Sequence, residues 1–135
     1  MIAFFDTNIH IPLLLGRLSV EEVLQEIGTF PVRLSPVVAS ELLRGVSGSG
    51  RRSVEKLVAQ LVPLEPPSWR RCWIEGGRLL PQIFPDHEHV GLAPLQNDCL
   101  LALTARYTGA VLVTGDSHFE SIRGFVPFQL RVLRV

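Results

Sequence analysis

Lysine is almost missing from this chain: Lys56 stands alone, and the other twelve of its 13 basic side chains are Arg. An Arg-dominated set suits a phosphate-bearing partner, because the planar guanidinium forks onto phosphate oxygens, and it equally suits GC-biased coding. Net charge is missing too, with 13 acidic residues against 13 basic, so the broad basic surface of a strong nonspecific nucleic-acid binder is excluded. Two cysteines, Cys72 and Cys99, do not make a disulfide framework, and a reduced cytoplasmic chain is the expectation. No apolar run approaches the roughly 20 residues of a membrane span. Acidic Asp6 follows a five-residue apolar run that has no basic leader, which does not fit a secretory signal. Charged residues make up 19% and hydrophobic ones 47%, which excludes intrinsic disorder. Aspartate is scarce as well: Asp6, Asp86, Asp98 and Asp116 stand against nine Glu. The 135 residues predict one domain over 1–135, burying about two-thirds of its unfolded surface.

The apolar pattern alternates strands with helices. Ile2–Phe5 reads as a buried strand ending in the capping cluster Asp6-Thr7-Asn8. Helical stretches follow over 8–15 and 19–28, the second opened by a capping box of Ser19 and Glu22. A second strand is expected over 32–35. Ser35-Pro36 then supplies an N-cap and first position for a helix reaching Arg44 and stopping at Gly45. Another helix covers 51–61 and a short strand 62–65, whereas Gly76-Gly77 and Pro81 interrupt the helical pattern of 68–84. Residues 85–94 read as a loop, and Asn97 as the cap of a helix to Tyr107. Ala110–Val113 is a buried strand ending at Thr114-Gly115-Asp116, and 130–135 a more exposed last strand. This alternation predicts a three-layer α/β/α sandwich around a parallel sheet, whose sites lie beyond the carboxyl ends of the strands.

Asp6 and Asp116 both follow a strand directly, so both belong on that edge. Asp98, read as lying in the first turn of its helix, aims at them if that helix opens on the same side. Glu41 lies in the apolar helix Val37–Leu43, where an unpartnered carboxylate costs several kcal/mol. Converging carboxylates repel one another unless a hard cation neutralises them. An all-oxygen set without His or Cys spacing suits Mg²⁺ or Mn²⁺ rather than zinc. Each residue also has a plain structural reading: Asp6 as a helix cap, Asp98 as a helix-dipole residue, Asp116 as a turn residue, Glu41 as solvent-facing.

Four segments together resemble the PIN domain family, specifically its VapC-like ribonuclease toxins. They are Ile2–Asn8, Ser35–Gly45, Asn97–Ala105 and Val113–Phe119, collinear and at compatible spacings. The resemblance implies a metal-dependent endoribonuclease using Mg²⁺ or Mn²⁺, with Asp6, Glu41, Asp98 and Asp116 as the acidic set. Thr7 and Thr114 would help hold the carboxylates or a metal-bound water, and Asn8 matches a polar position after the first Asp. Many relatives place a further Asp where this chain has His118, which leaves a second metal open. The resemblance further implies an RNA substrate, a small antitoxin partner and a homodimer. Ile9, Ile11, Leu13, Leu14 and Leu15 exceed one buried helix face and supply candidates for such a partner surface, beside a plain core role.

Two other readings compete. Strand-end Asp6 also suits a haloacid-dehalogenase-like phosphatase, but the second acid that class needs is Asn8 here. A PIN-like module that binds RNA or protein without cutting is the other. Arg51-Arg52 and Arg70-Arg71 are local clusters for capturing RNA, or simply solvated helix faces.

Overall fold

The structure, a computed structural model, describes residues 1–86 and 92–134. Four strands, β1 (Ala3–Phe5), β2 (Val32–Arg33), β3 (Val111–Thr114) and β4 (Gln129–Val132), form one sheet in the order β2-β1-β3-β4. All three pairings are parallel. The described residues form seven helices: α1 (Thr7–Leu14), α2 (Val20–Ile27), α3 (Pro36–Gly45), α4 (Ser49–Gln60), α5 (Trp69–Ile83), α6 (Leu92–Thr108) and α7 (Phe119–Arg123).

Period-two alternation along the strands builds two cores. Phe4, Leu112 and Leu130 face one side, packing with Val38, Leu42, Val54, Leu101 and Phe119. Ala3, Phe5, Val111 and Val113 face the other, against Ile9, Val23 and Ile27 of α1 and α2. A parallel sheet buried on both faces is what continuous apolar strands demand, and the result is the α/β/α sandwich expected of a PIN-like chain. Because β2 and β3 lie on opposite sides of β1, chain direction switches between β1 and β3. Loops leaving these two strands part there, opening a crevice at the carboxyl edge.

The local signals act where the sequence puts them. Ser19 Oγ accepts from the Glu22 amide at 3.1 Å, and Ser35 Oγ from the Val37 amide at 3.2 Å with Pro36 at the helix start. Gly109, at φ 75°, closes α6 and turns the chain into β3.

Several boundaries differ from expectation. α5 runs unbroken through Gly76, Gly77 and Pro81. Gly76 is buried against α6, where a Cβ would stand in ordinary contact, 3.7 Å from Cys99 Cβ and 3.8 Å from Leu103. Pro81 falls in the last turn, so the helix bond it cannot donate is lost only near the end of α5. α6 starts at Leu92, so Asn97 is no cap and Asp98 lies in the second turn. The short strand expected over 62–65 is a single bridge, Leu34 to Pro63. The last strand ends at Val132, and Val135 lies outside the described residues. Of the expected 85–94 loop, 85–86 form a turn, 87–91 lie outside the described residues and 92–94 are helical. On α1, Ile9 is buried, but Ile11 and Leu14, and Leu15 at its C-cap, are exposed. No helix among the described residues is long and apolar enough to cross a membrane.

Candidate active site

Asp6 is the N-cap of α1 and the first residue past β1. Its Oδ1 accepts the Thr7 amide at 2.8 Å, which fixes the carboxylate at the switch point. Its Oδ2 accepts from Thr114 Oγ1 at 2.9 Å, so the end of β3 grips the end of β1. Thr114 is fully buried and also takes the Asp116 amide at 3.1 Å. Asn8 completes this seam. Its Oδ1 accepts the Gly115 amide at 2.8 Å, while its Nδ2 faces Thr114 Oγ1 at 3.3 Å. Where a phosphatase would need a second acid, Asn8 therefore locks the turn after β3.

Glu41, half-buried on α3, accepts from Thr7 Oγ1 at 3.2 Å and has the Asn97 side chain of α6 against it. Asp98 faces the same crevice from α6. Its Oδ2 lies 2.6 Å from His118 Nε2, and Asp116 Oδ2 lies 2.5 Å from His118 Nδ1. Asp116 Oδ1 also accepts the His118 amide at 3.0 Å. The His118 ring stacks on Phe119 with centroids 4.8 Å apart and meets Phe84 edge-on at 6.1 Å. A ring held so, with a carboxylate on each nitrogen, is an imidazolium that donates twice.

The electrostatics follow from burial. Burial raises the Asp6 carboxyl to about 6, against the Thr114 and Thr7 hydrogen bonds, with Asp98 and Glu41 adding repulsion. Glu41 and Asp98 are likewise pushed up, chiefly by burial. For Asp116 burial also pushes upward, but the His118 amide and ring outweigh it and hold the carboxyl below its usual range. The Asp98 hydrogen bond, with help from Asp116, raises His118 to about 9 despite partial burial.

All four carboxylates thus gather at the carboxyl edge between β1 and β3, and Thr7, Asn8, Thr114 and His118 each touch one or their backbone turn. Among the described residues, no three His, Cys, Asp or Glu side chains converge closely enough to hold one metal ion as they stand. Asp98 and Asp116 are each paired instead with His118. The donor set remains one for a hard cation: all oxygen, mutually repelling, with an aspartate buried as its hub. Sequence reasoning placed His118 nearby but not between two acids, and it read Asn97 as a cap rather than a neighbour of Glu41. The signal available for Asn97 was its adjacency to Asp98.

Comparison with known proteins agrees with this geometry. The PIN domain family model matches residues 3–124. The chain belongs to the PIN domain family. This PIN domain is similar in structure to VapBC-1 from nontypeable Haemophilus influenzae, at 25% identity over 98% of each chain, with a TM-score of 0.66. It is also similar to VapBC2 from Rickettsia felis bound to a DNA fragment from their promoter, at 19% identity over 98% of this chain and 99% of that one, TM-score 0.63. FitAcB from Neisseria gonorrhoeae is similar at 19% identity over 96% of each chain, TM-score 0.54. A search of curated proteins returned no match. The PIN domain's likeness to VapBC structures accords with the VapC-like motifs of its sequence.

Proposed function

We propose that this PIN domain, a single unit over 1–135, is a Mg²⁺- or Mn²⁺-dependent endoribonuclease and the toxin of a toxin–antitoxin pair. The observation that carries this reading is the gathering of Asp6, Glu41, Asp98 and Asp116 at the switch point of the sheet, with Asp6 buried and raised to about 6. A carboxylate group that costs the fold stability in this way needs a cationic ligand to justify it. Asp6, Asp98, Asp116 and Glu41 would hold the cation. When bound there, it supplies Lewis-acid stabilisation to hydrolysis of an RNA phosphodiester. Thr114 and Thr7 keep Asp6 and Glu41 oriented, and Asn8 holds the turn that carries Asp116 and His118.

Cleavage of end-labelled structured RNAs tests this directly. Cuts are expected with Mg²⁺ or Mn²⁺ and none with EDTA or in Asp98→Asn. Full activity of Asp98→Asn would refute the assignment. The grip of His118 on Asp98 and Asp116 favours one second reading, a PIN-like module that binds without cutting. Absence of cleavage with either metal, together with no metal binding, would favour it.

The same proposal includes a small antitoxin and a homodimer. The exposed apolar residues Ile11 and Leu14 of α1 and Leu15 just beyond it, and the similarity to VapBC structures, support a partner surface. Cytoplasm is the compartment proposed, where the buried thiols of Cys72 and Cys99 stay reduced.

A further inference from the structure

A groove of about 380 Å³ runs between α3, α5 and α6 and opens beside the carboxylates. Its walls carry Trp69 and Trp73 from α5, Ser40 and Arg44 from α3, and Asn97 from α6. Asn97 lines the groove and its side chain hydrogen-bonds Glu41, so the groove borders the acidic site. Trp69 and Trp73 are four residues apart and therefore share one helix face. Trp69 is braced by its indole N–H, which donates to Glu65 Oε1 at 3.1 Å. Trp73 is 48% exposed, although a large aromatic ring gains most from being covered.

The charge in this groove is unbalanced. Arg44 makes no ion pair with any described acidic residue; its Nε reaches only the Ser40 carbonyl, at 3.4 Å. An adjoining depression shares Pro36, Ser40 and Arg44 and adds Arg51, extending the positive track along α3 toward α4. Arg71, in contrast, is committed elsewhere, to Glu75 and the Tyr107 ring. In a chain with no net charge, Arg44, whose charge also acts on nearby Glu41, and Arg51, which makes no ion pair among the described residues, stand beside exposed aromatic surface.

We infer that this groove binds an unpaired stretch of the RNA substrate, with a base stacked on Trp73 and the backbone phosphates on Arg44 and Arg51. The inference rests on the nuclease reading above and specifies how that site takes its substrate. Stacking on an aromatic face together with cations along the backbone is how single strands are bound, and every base has a face to offer. Ser40 and Asn97 add donors and acceptors for a base edge. A duplex keeps its bases inside the stack and offers nothing to Trp73, so the groove selects loops and open segments. A neutral or basic peptide would leave both cations unpaired, whereas a phosphate backbone uses both.

Trp69 and Trp73 are the only tryptophans of the chain, so its indole fluorescence reports on this groove alone. The Asp6→Asn protein with Mg²⁺ keeps RNA uncut for binding. Unlabelled, mixed-sequence single-stranded RNA is expected to quench the emission in step with binding of a labelled copy followed by anisotropy; duplex RNA is expected to do neither. Trp73→Ala, checked for native circular dichroism, is expected to weaken binding about tenfold, while Trp73→Phe stays within about twofold because a phenyl ring also stacks. On the otherwise native protein, Trp73→Ala is expected to raise KM about tenfold with kcat little changed. RNA binding that leaves the emission unchanged, with Trp73→Ala binding as the parent does, would overturn the inference and leave the nuclease standing. An acidic, aromatic-rich peptide that quenches where RNA does not would assign the groove to a protein partner instead. Neither binding nor cleavage of any RNA by the native protein would remove the nuclease reading, and this inference with it.

Discussion

His118 Nε2 lies 2.6 Å from Asp98 Oδ2, and the other ring nitrogen faces Asp116, so one imidazolium closes two of the four carboxylates against each other. The site therefore holds an internal cation of its own. A metal ion drawn to Asp98 and Asp116 competes with it for the same oxygens.

Replacing His118 is expected to separate these two roles. Without metal, His118→Ala loses two charge-assisted hydrogen bonds, and a loss of about 1.5–3 kcal/mol is expected in chemical denaturation at neutral pH. Mn²⁺ binding measured by calorimetry is expected to tighten about tenfold, since the competitor is gone. Unchanged Mn²⁺ affinity would show that the imidazolium and the metal do not meet.

Asp6→Asn is expected to stabilise the metal-free protein while abolishing cleavage. Burial raises the carboxyl from 3.8 to about 6, so at pH 7 the fold carries an anion it disfavours. Removing that charge is worth about 2–3 kcal/mol by linkage. Denaturant midpoints of the two proteins in EDTA measure the difference. A less stable Asp6→Asn would mean that the hydrogen bonds from Thr7 and Thr114 outweigh the buried charge.

The pH dependence of the metal-free protein has two opposing parts in acid. The Asp6 contribution is fully present below pH 3.8 and is lost as pH rises through about 6. His10 is buried, its Nε2 without a hydrogen bond among the described residues, and burial lowers its pKa from 6.5 to about 4. Its contribution is present above pH 6.5 and is lost as pH falls toward 4, because the unfolded chain takes a proton that the folded one refuses. Near pH 5 the two slopes oppose each other, and Glu41 and Asp98, also raised by burial, act in the same direction as Asp6. Asp6→Asn is expected to shift the balance toward the His10 slope, so that between neutral pH and pH 4 it loses more stability than the native sequence does, by up to about 3 kcal/mol.

Above neutrality His118 governs. Its raised pKa makes its contribution complete below pH 6.5 and lost as pH rises through about 9. Stability of the metal-free protein is expected to decline across that window, and His118→Ala is expected to lack the decline. Denaturant midpoints at a series of pH values measure both.

Asn8→Ala is expected to lower kcat more than it changes KM. The side chain holds the Gly115 amide at 2.8 Å, and the turn beyond carries Asp116 and His118. Loss of that bond leaves a half-buried amide without its partner, at about 1–3 kcal/mol of stability. Steady-state kinetics on a defined RNA, with thermal melting alongside, tests it; a KM effect alone would place Asn8 on the substrate.

The sequence by itself determined the layers and the edge on which the chemistry sits. Apolar strands Ala3–Phe5 and Val111–Thr114 had to be buried on both faces, and a residue directly after a parallel strand had to emerge at its carboxyl end. That reasoning reached Asp6 and Asp116 because it depends only on neighbours along the chain. Caps such as Ser19 and Ser35 were legible for the same reason. Tertiary structure alone decided what depends on residues far apart. Continuity of α5 through Gly-Gly and Pro is a matter of tertiary packing: Cys72, Gly76 and Leu80 are buried along one side of the helix, and Gly76 lies against Cys99 and Leu103 of α6. The clasp of His118 joins residues 20 apart, and the Asn8–Gly115 bond residues 107 apart. Such pairings depend on the packing angles of three helices on one sheet, and local propensity carries no information about those angles.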